Sequence, residues 1–261
     1  MAAPGEAAGL RVFITGASSG IGAALAAHYA HRGATLGLMA RRRDKLEEVV
    51  ATLPGRHFLY VADVTDAPAV ASAAQDFLKG GLPDIVIANA GISVGTLTEH
   101  AEDFPAFARV FQTNVLGLFA TFQPFVQPMI QARHGTLAGI ASVAGIRGLP
   151  GAGAYSASKA AAISYLESLR VELRGHGIKV TTVCPGYIET PMTAVNDYSM
   201  PFILPVAEAA RRIARVIDAG TSYAVVPWQM AVVAKLMRLL PNPVFDRLFA
   251  NKGRKPRGLD L

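Results

Sequence analysis

Short apolar runs recur along the chain, and between them the apolar spacing shifts to the three-to-four-residue repeat of a helix. "LRVFIT" at 10–15 ends in glycines and leads into "IGAALAAHYAHRG", an alanine-rich pattern stopped by Gly33. "ATLGLMA" at 34–40 precedes the helical "RRDKLEEVVATL", and "HFLYVAD" at 57–63 precedes "APAVASAAQDFLKG". The alternation continues through "DIVIANA" at 84–90, a helical span over 105–132, "GTLAGIAS" at 135–142, a helical "YSASKAAAISYLESLRVELRGHG" and "IKVTTVCPG". Runs that are apolar throughout, rather than alternating, suit strands covered on both faces. The pattern therefore predicts an α/β fold, a doubly wound parallel sheet with helices on both faces. No repeat or composition break marks a second domain, so residues 1–261 are read as one. The stretch 228–261, after "SYAVVP" at 222–227, is set apart as a helical and basic C-terminal extension.

Composition narrows the function. With 51% hydrophobic and 17% charged residues the chain is apolar enough for a packed globule and unlike a disordered one. The net charge of +6 comes with two basic clusters, Arg41, Arg42 and Arg43, and Lys252, Arg254, Lys255 and Arg257. Neither interleaves with aromatics, which argues against nucleic acid. One cysteine, Cys184, excludes an internal disulfide and a cysteine zinc site and fits a reducing, cytoplasmic setting. "MAAPGEAAGL" carries no secretion signal, and the uncharged span from Val110 to Ala132 holds Asn114, glutamines and two prolines, which is unlike a membrane helix. His28 and His31 on the first helix read as surface or packing residues rather than metal ligands.

Two local patterns point to chemistry. "TGASSGIG" at 15–22 lies between a strand and a helix, where glycines admit a pyrophosphate to exposed amides and to the positive helix end. Where a ribose-reading carboxylate is expected, near residue 40, stand Arg41 and Arg42. Arginine pairs with a 2'-phosphate that a carboxylate would repel, so NADP(H) is favoured over NAD(H), while Arg43 reads as a solvated loop residue. Tyr155 and Lys159, at i and i+4, share one helix face, and an adjacent positive charge lowers a phenol's pKa toward neutrality. Ser142, at the end of the preceding strand, is placed to donate a hydrogen bond to a substrate oxygen gaining negative charge.

Taken together, "TGASSGIG", "NAG" at 89–91, Asn114, Ser142, "YSASK" at 155–159 and "PG" at 185–186 resemble the short-chain dehydrogenase/reductase family over residues 10 to about 220. The resemblance implies a Rossmann-type oxidoreductase acting on a small-molecule carbonyl or alcohol. Tyr155 would be its general acid, Ser142 would orient the carbonyl, and Lys159 would hold the nicotinamide ribose and lower the tyrosine pKa. Asn114 would bind a water linking Lys159 to solvent. Gly16, Ser18, Ser19, Gly20, Ile21 and Gly22 would line the cofactor's phosphates and ribose, and Asp63 and Val64 its adenine. Asn89, Ala90 and Gly91 would border the cofactor, and Pro185, Gly186, Ile188 and Thr190 would hold the nicotinamide. A homodimer through the helices at 105–132 and 155–174 is implied as well. The C-terminal extension lacks the Asp-Gly-Gly-like ending that helps many relatives form tetramers.

Substrate-side residues follow from side-chain type. Met192, Phe202, Ile203 and Leu204 on the loop after Thr190, with Val143, Ile146 and Leu149 across from them, suggest an apolar ketone or aldehyde. Val232, Val233, Leu236, Met237, Leu239 and Leu240, interrupted by Lys235 and Arg238, suit a membrane surface, a cap over an apolar substrate or a helix packed on the core. A non-catalytic NADP-binding sensor or scaffold on the same fold is the alternative function, but it has no need of Asn114, Ser142, Tyr155 and Lys159 together.

Overall fold

In the computed structural model, which describes residues 9–250 and 253–258, the apolar runs become seven parallel strands in the order β3-β2-β1-β4-β5-β6-β7. The strands are β1 Arg11–Thr15, β2 Thr35–Ala40, β3 Phe58–Val61, β4 Ile85–Ala88, β5 Thr136–Ile140, β6 Lys179–Pro185 and β7 Tyr223–Val226. Residues 1–8, which carry most of the N-terminal segment read above as lacking a signal, and Lys252 of the second basic cluster lie outside the described residues.

The helices are α1 Gly20–Ala30, α2 Arg43–Ala51, α3 Ala67–Leu78, α4 Phe104–Phe111, α5 Gly117–Ala132, α6 Gly153–Leu173, α7 Pro191–Ala194, α8 Val206–Asp218, α9 Trp228–Leu239 and α10 Asn242–Phe249. Successive residues of β1 point to opposite faces. Val12 and Ile14 join a core with Leu25, Leu46 and Ile213 from α1, α2 and α8, whereas Phe13 joins Phe77, Phe125 and Leu166 from α3, α5 and α6. Gly37 on β2 leaves room for that second cluster, because a Cβ there would sit 2.6 Å from the Phe13 ring and 2.9 Å from Phe77. Helix α8 was not foreseen. Its Ala209, Ala210, Ile213, Ala214 and Ile217 are buried at helical spacing against α1.

The outermost strand β3 leaves Phe58 and Val61 exposed, so the expectation of strands covered on both faces fails at that edge. Strand order reverses between β1 and β4, and the loops leaving their C-terminal ends part to form a crevice. Asn89 ties its two sides: its side-chain amide donates to the Thr15 and Gly16 carbonyls, each at 3.1 Å.

Candidate active site

A cleft of about 630 Å³ opens at this crevice and runs along the C-terminal ends of the strands. Its floor is the glycine turn. Gly16 and Gly20 hold positive φ of 69° and 55°, conformations that glycine adopts without strain. A Cβ on Gly22 would lie 2.2 Å from the Gly16 carbonyl oxygen, so the turn folds tightly on the start of α1. Ser19, at the N-cap of α1, makes no side-chain cap, and the first turn holds no acidic residue. The amides at that helix end are left to meet an anion, which fits the pyrophosphate of a dinucleotide.

Gly16, Ser18, Ser19, Gly20 and Ile21 line the cleft, but Gly22 does not. Gly22 packs beneath Gly16 instead. Asn89, Ala90, Gly91, Pro185, Gly186, Ile188 and Thr190 also line the cleft.

The ends of β2 and β3 form the side wall, with Arg41, Arg42, Asp63 and Val64 in it. Arg42 donates to the Ser19 hydroxyl at 3.4 Å, and an Arg41 guanidinium nitrogen lies 3.7 Å from Asp63. Arg109, which sequence reasoning missed because it arrives from α4, donates to the same Asp63 carboxylate at 2.7 Å. Burial works to raise the Asp63 pKa, but hydrogen bonds from Thr65 and the charges of Arg109 and Arg41 outweigh it and hold the carboxyl below its ordinary value. Arg43 starts α2 and pairs with Glu47, away from the cleft.

The reacting wall comes from β5 and α6. Ser142, at the N-cap of the tight turn Val143–Gly145, accepts from the Ala144 amide at 3.1 Å. Tyr155 and Lys159 share a face of α6 near its start, and both line the cleft beside Ser142. The Lys159 ammonium donates to the Ile140 carbonyl at 2.8 Å and lies 5.9 Å from the centre of the Tyr155 ring. Burial pushes the Lys159 pKa down to about 8.

Burial likewise raises the Tyr155 pKa, with the Ser142 hydroxyl pulling the other way. The net direction runs opposite to the lowering expected from the lysine charge. Among this chain's own groups, removal from water dominates and the phenol keeps its proton at neutral pH. Cys184 lies close by as a buried thiol with a raised pKa.

Asn114 stands behind this wall rather than in the cleft. It sits in a π-helical turn, Gln112–Leu116, between α4 and α5, a feature common at functional sites and invisible in the apolar pattern. Its side chain accepts from the Ile92 amide at 2.9 Å and donates to the Ile92 carbonyl and the Ser158 hydroxyl, each at 3.0 Å. Ser158, another residue missed from sequence, passes the chain on by donating to the Tyr155 carbonyl at 2.8 Å. A Cβ on Gly91 would lie 3.2 Å from Asn114 Oδ1 and 3.4 Å from Lys159 Nζ, so amide and ammonium flank one small gap.

On the substrate side Met192 lines the cleft, and Val143 and Leu149 do not. Val143 starts the tight turn after Ser142, and Leu149 is held where its amide donates to the Ser156 hydroxyl at 3.3 Å. Ile146, Phe202, Ile203 and Leu204 also stay out of the lining. Arg147 was not singled out, yet it fastens the extension to this loop. It donates to the Met237 and Leu240 carbonyls at the end of α9, and its guanidinium lies 3.8 Å from the Phe245 ring centre. Among the described residues no His, Cys, Asp and Glu cluster could hold a metal, and no helix is long and apolar enough to cross a membrane.

Comparison with known proteins agrees with this geometry. A short chain dehydrogenase family model matches residues 11–199. An oxidoreductase of Myxococcus xanthus is 38% identical over 242 residues, covering 89% of this chain and 93% of its own. The 3-oxoacyl-acyl-carrier-protein reductase of Thermotoga maritima is 38% identical over 186 residues, covering 69% of this chain and 74% of its own. The crystal structure of levodione reductase superposes with a TM-score of 0.77 at 25% identity, covering 85% of this chain and 98% of that one. With the glycine turn on the crevice floor and the serine, tyrosine and lysine on one wall, the chain belongs to the short-chain dehydrogenase family and is an NAD(P)-dependent oxidoreductase.

Proposed function

We propose that this enzyme uses NADPH to reduce an apolar ketone or aldehyde to the alcohol, reversibly, with Tyr155 as proton donor. The observation that carries the reading is the gathering of Ser142, Tyr155 and Lys159 on one wall of the cleft floored by the glycine turn. The dihydronicotinamide, when bound, supplies the hydride that the carbonyl carbon accepts. Ser142 donates a hydrogen bond to the carbonyl oxygen and orients it, and Tyr155 gives that oxygen its proton. The raised pKa of Tyr155 supports this direction, because a phenol protonated at neutral pH is an acid ready to donate.

Lys159 binds the ribose hydroxyls and steadies the phenolate left behind. Asn114, across the Gly91 gap, holds the path by which that proton returns. Arg41 and Arg42 take the 2'-phosphate, a role supported by their place in the cleft wall and by Arg42 reaching Ser19 at the glycine turn. Ile92, Ile188 and Met192 in the lining favour an apolar substrate. The named activities of the Thermotoga maritima relative and of levodione reductase, both reductases, agree with carbonyl reduction.

The same reading makes the enzyme a homodimer in the cytoplasm. Exposed Phe104, Phe107, Leu116, Phe119 and Val171 on α4, α5 and α6, with the turn between α4 and α5, offer the apolar face such a partner needs. Trp228, Val232, Leu236 and Leu239 project from α9 beside Lys235 and Arg238, a face suited to resting on an anionic membrane. The non-catalytic sensor is disfavoured by the completeness of the reacting wall. Tyr155→Phe decides between them: it should abolish NADPH oxidation across a panel of ketones while cofactor binding persists, and undiminished turnover would overturn the mechanism.

A further inference from the structure

We propose that residues 253–257 form a strap across the mouth of the substrate cleft. Lys255 is its positioning residue, tying the substrate loop 190–204 to the strap and so limiting the length of substrate the cleft admits. This rests on carbonyl reduction at Tyr155. Nothing in the apolar pattern of the C-terminal extension announced it.

The segment touches three loops that surround the cleft, and Met192 is the one of its partners that lines it. On the β4 side the Gly95 amide donates to the Pro256 carbonyl at 2.9 Å, and a Cβ on Gly95 would lie 2.1 Å from the Lys255 carbonyl oxygen, so the two backbones meet directly. Arg257 anchors that end, donating to the Asp103 carboxylate at 2.8 and 3.1 Å and to Glu102 at 3.1 Å. Beside the start of α6 the Arg254 side chain covers Gly151, where a Cβ would lie 2.9 Å from it. On the β6 side Gly253 packs on Tyr198, and the Lys255 ammonium donates to the Met192 carbonyl at 2.9 Å and to Asn196 Oδ1 at 3.3 Å. Met192 is itself part of the cleft wall, so this tie reaches the substrate's surroundings through one residue.

Lys255 is an unusual choice for a mere packing position. It is 8% exposed, and burial pushes its pKa down to about 8 with no neighbouring carboxylate to offset it among the described residues. An apolar side chain would fill the same space without the cost of burying a charge. What the ammonium adds is a long, directed donor for two acceptors of one loop. That loop is closed at its base by the bridge between Ile188 and Leu204, and its short helix α7 carries its own capping box. Between α7 and the base, Lys255 supplies the tie at Asn196. With strap and loop joined, the loop is held in place at Met192, so that a substrate extending past its carbonyl by a long chain would have to displace the tie.

The test compares the full chain with Lys255→Met, which keeps the stem and removes the donor, and Lys255→Arg, which restores one. By hydrogen exchange without cofactor or substrate, amides of residues 192–198 should exchange about tenfold faster in Lys255→Met and close to the original rate in Lys255→Arg. With NADPH, KM for a short ketone should rise about tenfold while kcat and the NADPH dissociation constant stay within about twofold, and relative kcat/KM should shift toward long-chain ketones. Unchanged exchange together with an unchanged chain-length preference overturns the strap. So does a Lys255→Met protein that loses NADPH affinity or melts well below the parent, since the residue would then hold the fold and not the loop. If the parent turns over no carbonyl, the catalytic reading fails, and the exchange experiment still judges the tie.

Discussion

Lys159→Met removes an ammonium that is only 5% exposed, lodged between β5 and α6 with the Ile140 carbonyl as its acceptor. Its pKa falls from 10.5 to about 8 because burial disfavours the charged form. Below pH 8 the folded and unfolded chains both hold the proton, and the folded state bears the whole cost of the buried charge. Between pH 8 and 10.5 the folded state has released the proton and the unfolded state has not, so stability rises with pH across that window and the cost is gone above it. The shift corresponds to about 3 kcal/mol. Methionine keeps the stem and its packing, and the lost hydrogen bond to Ile140 takes back about 1 kcal/mol.

The variant should therefore be about 2 kcal/mol more stable at pH 7, equivalent to a melting temperature roughly 4 to 8 °C higher, while NADPH-dependent turnover disappears. Urea unfolding of both proteins at pH 7 and pH 10.5, without cofactor, measures it. The advantage should be present at the lower pH and absent at the higher one. A variant no more stable than the parent at pH 7, or an advantage that ignores pH, would show that Lys159 sits in its pocket without strain.

Three further outcomes test the rest of the site. Arg41→Ala should weaken NADPH binding about tenfold or more and leave NADH nearly unchanged, by loss of a charge-assisted contact; equal effects on both cofactors would refute the 2'-phosphate assignment. Gly91→Ala places a methyl 3.2 Å from Asn114 Oδ1 and 3.4 Å from Lys159 Nζ at a residue with no positive φ, so stability should move by less than about 1 kcal/mol. Its kcat should fall about tenfold if the gap carries the returning proton, and an unaltered kcat would remove that path. Full-length protein should co-float with anionic vesicles, and Leu236→Glu combined with Leu239→Glu should abolish this; identical flotation of the two proteins would discharge α9 from any membrane role.

Much of this was legible because it depends on sequence spacing. The sheet follows from apolar runs whose period is local, and Tyr155 and Lys159 meet because four residues make about one helical turn. What escaped depends on direction and on distant partners. Val143 and Leu149 have the apolar character of a substrate wall, but Val143 starts the turn after Ser142, Leu149 is held by Ser156, and neither lines the cleft. Arg109 reaches Asp63 from 46 residues away, and Lys255 reaches Met192 from 63, separations at which no pattern operates.

The tyrosine's acidity shows the same limit in energetic form. Counting charges along α6 predicts a lowered pKa, whereas its sign is set by how much water the fold removes, and burial raises it. The same withdrawal of water makes Lys159 costly as a cation and keeps Tyr155 supplied with its proton. A site suited to donating a proton to a carbonyl thus stores part of the fold's stability as strain on its lysine. For that reason the stability of Lys159→Met and the loss of its turnover should appear in one protein.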